Sequence, residues 1–108
     1  MPIKDYLRQI KKIDTLIENK RIEEQQAKNM GVDYSYIRNS INQLQNDKQE
    51  IISQIQKLSE AEYDVLHKVY VQGKTLYEVA DERAISYSMA TTIHGRALKN
   101  LAQIIKKQ

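Results

Sequence analysis

Four hydrogen-bonding side chains lie close together in the C-terminal half of the sequence: Tyr87, Ser88, Thr91 and Thr92. If this segment is helical, their spacing places them on one face near the start of the helix. Short or amphipathic side chains of this kind offer donors and acceptors to base edges and phosphates in a major groove. The spacing therefore predicts a surface that reads nucleic acid.

The distribution of charge also favours an anionic partner. The formal net charge of +3 is weak evidence by itself. Residues 59–82 hold six acidic and two basic residues, whereas residues 83–108 hold no acid. The bases of this last segment are Arg83, Arg96, Lys99, Lys106 and Lys107. Complementing a helix dipole explains only the last two, so we predict that Arg96 and Lys99 lie against phosphate.

Residues that could support other chemistry are scarce. There is no cysteine, and the two histidines, His67 and His94, have no carboxylate or second histidine four residues away. Gly73, Lys74 and Thr75 resemble the end of a phosphate-binding loop, but the earlier glycine and the preceding strand are missing. We predict no enzyme activity, metal or cofactor, and we assign His94 a phosphate contact that protonation would strengthen.

Capping signals define the helices that must position these residues. Ser59 and Glu62 form a predicted capping box that opens a third helix, which Gly73 ends. Thr75 and Glu78 form a second box, opening a short helix to about residue 82. After a tight joint, Ser86 is predicted to cap a fifth helix that runs to about residue 106.

The apolar residues of these last helices fit a helix-turn-helix. One predicted buried face comprises Leu76, Val79 and Ala80, where small Ala80 allows a close crossing. Ile85 is expected to fill the corner. The fifth helix should bury the residues Ala90, Ile93, Ala97 and Leu101.

The N-terminal half has the heptad pattern of two long helices, over residues 2–28 and 34–58, joined at residues 29–33. Asp33 or Ser35 is expected to cap the second helix, and Lys48 either sets the register or reaches out to water. The hairpin is a scaffold or, as we prefer, a dimerisation element. The predicted dimerisation residues are Ile3, Ile10, Ile17, Ile37, Ile41, Leu44, Ile51 and Ile55.

Residues 59–101 resemble region 4 of the sigma-70 family, which reads the −35 promoter element. The resemblance rests on Leu58, Ser59, Val65, Leu66, Gly73, Lys74, Thr75, Leu76, Glu78, Val79, Ala80, Ile85, Ser86, Ile93, Ala97 and Leu98. It implies base contacts from Tyr87, Ser88, Thr91 and Thr92, and phosphate contacts from Lys74 and Thr75. Ala84 replaces the usual glycine of the joint, so the turn must avoid positive φ or absorb strain.

The whole chain is similar to small phage and prophage regulators near the ArpU and RinA late-gene activators, many of which share the stretch matched by residues 93–98. The base-reading residues differ from those common in sigma proteins, so a standard −35 element is not expected. No segment resembles the −10-reading region, which argues against a complete sigma factor.

Together these patterns predict an all-α protein, with a long antiparallel helical hairpin at residues 1–58 and a three-helix DNA-binding domain at residues 59–108. We expect a cytoplasmic regulator of a bacterial host that binds double-stranded DNA as a homodimer. The alternative is an interaction module for RNA polymerase or a partner factor. No apolar run approaches the ~18 residues of a transmembrane helix, so no membrane partner is expected.

Overall fold

The computed structural model describes residues 2–108, and within this range the chain forms five α-helices and one π-helical segment. The first two helices make a long hairpin, and the remaining elements form a helix-turn-helix unit at its base. The helices are α1 (Ile3–Asn29), α2 (Ser35–Ile55), α3 (Glu60–Leu66), α4 (Leu76–Arg83) and α5 (Tyr87–Lys106). The π-helical segment, His67–Val71, continues α3 directly. The predicted all-α architecture is confirmed.

The hairpin forms because each long helix carries an apolar stripe that packs against the other helix. Ile10 of α1 and Ile41 of α2 are fully buried at this contact. Gly31 turns the chain with a φ of 69°, a conformation that glycine adopts without a steric penalty. The Ser35 N–H then donates to Asp33 Oδ1 at 3.0 Å. The N-cap of α2 is nevertheless Tyr34, which makes no side-chain cap hydrogen bond, so the prediction that Asp33 or Ser35 caps α2 is wrong.

Lys48 interrupts the apolar series of α2 and pairs across the hairpin. Its ammonium lies 2.7 Å from the Asp14 carboxylate on α1. Both side chains are partly exposed, so the pair adds little stability. The pair does, however, place Asp14 of α1 opposite Lys48 of α2.

A single apolar core joins the base of the hairpin to the last helix. Leu7 and Ile10 of α1, together with Ile55 of α2, pack with Leu66 and Leu101 from the C-terminal half. All five are fully buried. At the end of α5, Gln54 and Gln108 exchange two side-chain amide hydrogen bonds. The hairpin and the C-terminal helices therefore share one interior.

A second, smaller core lies at the corner of the helix-turn-helix. Val65, Val79 and Ile93 form it, and Leu76 and Ile85 pack against them. Ile85 thus occupies the corner as predicted. The contact fixes the angle at which α4 and α5 meet, because three helices each contribute a buried side chain.

Local hydrogen bonds mark the ends of the short helices. Gly73, with φ of 73°, ends the π-helical segment, and the Lys74 N–H donates to the Lys68 carbonyl at 2.9 Å. The Thr75 capping box is present in full, with both reciprocal bonds to Glu78. Both signals were predicted from sequence.

The capping box predicted at Ser59 is wrong. Ser59 precedes α3, but its side chain makes no cap hydrogen bond to the helix backbone. Glu62 is instead buried against α5, where Arg96 and Asn100 donate to its carboxylate. The carboxylate that a capping box would have used is shared between these tertiary partners and the side chain of Ser59.

Ala84, in the joint between α4 and α5, has a left-handed conformation with φ of 56° and ψ of 44°. The backbone therefore absorbs the strain that an alanine meets in this region.

Within residues 2–108, no helix combines the length and the apolar character that spanning a membrane requires.

Candidate nucleic-acid interface

The start of α5 presents the polar face that the sequence predicted. Ser86 caps the helix by accepting the Met89 N–H at 3.0 Å. Four side chains beyond the cap are exposed together, while the opposite face of the helix lies in the core. The exposed four are Tyr87, Ser88, Thr91 and Thr92. No acid lies in the first turn of α5, so nothing on this turn repels a phosphate.

The two threonines of this face have a restricted hydrogen-bonding capacity. The Thr91 hydroxyl donates to the Tyr87 carbonyl and the Thr92 hydroxyl to the Ser88 carbonyl, each at 3.0 Å. A hydroxyl has one donor and two acceptor lone pairs, so each Oγ1 can still accept. Acceptors and γ-methyl groups suit the amino groups of adenine and cytosine and the methyl group of thymine.

Tyr77 is a neighbour of this face that sequence reasoning missed. Its ring stacks on that of Tyr87, with centroids 4.1 Å apart and an interplanar angle of 11°. Tyr77 is 68% exposed and Tyr87 44% exposed, so the pair forms an aromatic surface between the starts of α4 and α5. The available signal was a tyrosine close behind the cap of each helix.

The residues predicted to bind phosphate at the start of α4 are engaged within the chain. Lys74 forms an ion pair with Glu82. The Thr75 hydroxyl accepts the Glu78 N–H at 3.2 Å in the capping box. Both residues lie where expected, but in this structure neither has its charge or hydroxyl free, so their contact with phosphate stays a prediction.

Arg96 and Asn100 of α5 hold a buried carboxylate. Arg96 Nε lies 3.0 Å from Glu62 Oε2, and Asn100 Nδ2 lies 2.9 Å from the same oxygen. Burial alone would raise the pKa of Glu62, but hydrogen bonds from Asn100, Arg96 and Ser59 outweigh it and lower that pKa. Arg96 is still 54% exposed. It can therefore face solvent while it stabilises the contact between α3 and α5.

The remaining bases of the acid-free segment differ in their availability. Arg83 is bound to Glu60 and Asp64, at 3.2 Å and 2.8 Å. Lys99 is exposed, and within residues 2–108 it has no ion-pair partner. The C-terminal unit is thus less cationic at its surface than its sequence suggests.

His94 lies at the side of α5, against the π-helical segment. Its Nε2 is 3.0 Å from the Tyr70 hydroxyl, and the two rings are stacked. Burial lowers the pKa of His94, and the nearby positive charge of Lys4 lowers it further. The lowered pKa favours the neutral ring, which works against the protonated phosphate contact predicted from sequence. That contact stays untested.

The residues assigned to dimerisation are covered mainly by the chain itself. Five of them are buried within the single chain: Ile10, Ile37, Ile41, Ile51 and Ile55. The other three, Ile3, Ile17 and Leu44, are partly buried. Packing inside one chain already accounts for the heptad pattern, and the homodimer stays a prediction.

Among residues 2–108 no group of three or more histidine, aspartate or glutamate side chains could hold a metal ion.

Residues 54–103 match the family described as sigma-70, region 4. The chain is also 34% identical over 59 residues to the RNA polymerase sigma factor SigO of Bacillus subtilis (strain 168). That alignment covers 55% of this chain and 34% of the relative, so the chain spans about a third of the relative's length. No solved structure matches the chain.

These similarities agree with the geometry of the C-terminal half. A short helix, a tight joint and a capped second helix with an exposed polar face form a sigma-70 region-4-like helix-turn-helix. Such a unit is a DNA-binding element of proteins that take part in transcription.

Proposed function

We propose that this protein is a sequence-specific, DNA-binding transcription regulator of the phage or prophage type, which reads the major groove with the first two turns of α5. The observation that carries the proposal is the exposed face of Tyr87, Ser88, Thr91 and Thr92 at the start of a capped helix within a region-4-like unit. The proposal involves binding alone, without a catalytic step.

The geometry favours recognition by α5 over recognition by α4. An α-helix fits the major groove, and its N-terminal residues contact base edges in helix-turn-helix proteins. The first turn of α4 carries Glu78, which the capping box holds in place, whereas the first turn of α5 has no acid. The start of α5 is therefore the better surface to approach phosphates.

Two copies acting together remain part of the proposal. A single helix-turn-helix makes a small interface, and a second half-site increases both affinity and specificity. The hairpin exposes apolar side chains that a second copy could cover: Leu16, Ile22, Met30, Val32 and Tyr36. Sedimentation equilibrium on the free protein gives a dimer mass if this is correct and a monomer mass if it is not.

A second candidate function is binding to RNA polymerase or to a partner factor, with DNA contact secondary or absent. The similarity to an RNA polymerase sigma factor favours it. A pull-down with purified polymerase in the absence of DNA separates the two candidates. Capture of polymerase by a protein that has no preference among duplexes would support this second function over the first.

Competition binding tests the main proposal. The wild-type protein should prefer fragments of the phage or prophage DNA that encodes it over random duplex, at a salt concentration of about 0.15 M. The triple variant Ser88→Ala, Thr91→Ala, Thr92→Ala should lose that preference while keeping non-specific binding, because base contacts specify and phosphate contacts position.

The matched control removes three other helix hydroxyls, which donate to backbone carbonyls as those of Thr91 and Thr92 do: Thr15→Ala, Ser40→Ala, Ser53→Ala. It should retain the full preference. Equal loss in both triple variants, or an absence of preference in the wild-type protein, would refute the proposal.

A further inference from the structure

One face of α1 carries a row of cations that the hairpin does not use for its own folding. Lys4, Arg8 and Lys11 follow one another at spacings of four and three residues, so they lie on the same side of the helix. All three are exposed, whereas Leu7 and Ile10 of the same helix are buried in the core. These three residues are called the basic row below.

The basic row borders the helix-turn-helix. Arg8 and Lys11 line one surface depression together with Gln72, Gly73 and His94. Gly73 ends the segment that leads into α4, and His94 lies on α5 three residues beyond Thr91. Arg8 and Lys11 therefore adjoin the helix-turn-helix at Leu76, the first residue of α4, and at His94 of α5, although they lie far from both in sequence.

The cations of the row are freer than three of the cations of the helix-turn-helix. Lys74, Arg83 and Arg96 each pair with a carboxylate within the chain. In contrast, Lys4 and Lys11 have no ion-pair partner in the part of the chain that the structure describes. Arg8 has only an exposed pair with Asp5 at 3.3 Å, which contributes little.

Nearby acids do not cancel this charge. Asp14, one turn beyond Lys11, lines the same depression, but its carboxylate is paired with Lys48 of α2 at 2.7 Å. Glu82, beside the turn into α4, is taken by Lys74. Duplex binding depends on the neutralisation of phosphates by lysine and arginine, and the basic row adds to Lys99, Lys106 and Lys107, the exposed bases of the region-4-like unit that have no ion-pair partner among residues 2–108.

We infer that the basic row of α1 is a second DNA-contacting surface, which binds the phosphate backbone beside the groove occupied by α5. This inference rests on the proposed function. Lys4 and Lys11 are about 10 Å apart along the helix. Phosphates of one strand recur about every 3.4 Å along the duplex axis, so the row spans roughly three of these axial intervals and can contact more than one phosphate. The hairpin then takes part in DNA binding in addition to supporting the fold.

The salt dependence of binding tests the inference. The triple variant Lys4→Gln, Arg8→Gln, Lys11→Gln should lower the slope of log affinity against log salt by about 2 to 3, since each phosphate contact contributes about 0.9. Affinity at low salt should fall roughly tenfold or more for specific and random duplexes alike. The ratio between the two duplexes should stay close to the wild-type ratio.

The control variant Lys20→Gln, Arg21→Gln, Lys28→Gln removes the same charge from the distal part of α1. These three positions lie between about 14 and 25 Å along the helix from Lys11, so this variant should keep the wild-type slope. Phosphate-ethylation interference adds a positional measurement. Wild-type protein should show sensitive phosphates flanking the α5 groove, and the basic-row variant alone should lose them.

The outcomes separate the inference from the function on which it depends. Sequence-specific binding with an unchanged slope in the basic-row variant would overturn the inference and leave the proposed function standing. A wild-type protein that binds no duplex would overturn both. Because the three positions are exposed, circular dichroism should show unaltered helicity in the basic-row variant. The single variant Lys11→Gln should lower the slope of log affinity against log salt by about 0.9.

Discussion

At the scale of single residues, internal contacts determine which polar groups remain available for a partner. Arg96 reaches both solvent and the buried Glu62 carboxylate. Lys99, one turn further along α5, is exposed without such a partner among residues 2–108. Two bases on the same helix therefore differ in their internal contacts, because one of them also bonds a buried carboxylate.

Alanine variants of these two bases should separate the two roles. Arg96→Ala and Lys99→Ala should each weaken binding to all duplexes, since phosphate contacts carry no sequence information. Only Arg96→Ala should also reduce the free energy of unfolding, by about 1 kcal/mol, because the buried Glu62 carboxylate loses one donor and keeps Asn100. Urea denaturation measures the difference. Equal stabilities would show that Glu62 does not depend on Arg96.

His94 should make stability depend on pH. Its pKa is lowered in the folded state by burial, so folding favours the neutral ring. The unfolded chain binds the proton first, and stability should therefore fall as pH drops below about 6.5 until the folded form also becomes protonated. In denaturation between pH 5 and pH 8 (about the range in which histidine titrates), His94→Gln should lose this dependence and the control His67→Gln should keep it. A wild-type slope in His94→Gln would contradict the assignment.

At the scale of the helices, the sequence predicted the capping bonds between neighbouring residues at Thr75 and Ser86. It did not predict the hydrogen bonds that Glu62 makes to residues distant in sequence. The Thr75 box and the Ser86 cap use residues within three positions of each other, so the sequence displays both partners. Glu62 carries the same local signal but binds Arg96 and Asn100, which are 34 and 38 residues away. No local pattern shows those distant partners.

The heptad pattern illustrates a second limit of the sequence. It placed apolar stripes on α1 and α2 correctly, yet a stripe does not specify what covers it. Residues of the same chain bury Ile10 and Ile55, from the facing helix and from α5. Tyr77 was missed for a related reason, because its stacking on Tyr87 arises only when the joint brings α4 and α5 together.

Replacing Ala84 with glycine in the joint between α4 and α5 should increase the stability of the fold. Ala84 has φ of 56°, where an L-residue with a β-carbon is strained by about 1 to 2 kcal/mol. Ala84→Gly should raise the free energy of unfolding by up to about 1 kcal/mol, after the entropy gained by the unfolded chain is deducted. Chemical denaturation provides the value.

The same substitution at an exposed helical position serves as its control. Ala102 lies in α5 and is exposed, so Ala102→Gly should cost about 1 kcal/mol. Opposite signs for the two variants would support the strain at Ala84, whereas a loss of stability in both would contradict it.

At the scale of the whole molecule, the hairpin and the helix-turn-helix depend on each other. The molecule measures 54 × 33 × 20 Å, and its main core lies where the base of the hairpin meets α3 and α5. The helix that we propose to read DNA is therefore held by side chains near the start of the sequence. Residues 1–58 and 59–108 differ in their predicted roles, but they share one interior.

A core substitution in the hairpin should consequently destabilise the helix-turn-helix unit. Leu7 is fully buried, so Leu7→Ala should cost about 2 to 5 kcal/mol and should lower the protection of α5 amides against hydrogen exchange. Leu16 is 47% exposed, and Leu16→Ala should have a much smaller effect on both quantities. Unchanged protection in α5 of Leu7→Ala would show that the two halves unfold independently.

Selection of bound fragments from a random duplex pool, performed with the full chain at about 0.15 M salt, tests the central claim most directly. The account predicts that repeated selection enriches a defined sequence, and that a variant lacking the side-chain hydroxyls of Ser88, Thr91 and Thr92 no longer enriches it. Two copies of that sequence in inverted orientation at fixed spacing would also support the homodimer. A recovered pool as random as the starting pool, from protein that still binds duplex, would contradict sequence-specific recognition by α5.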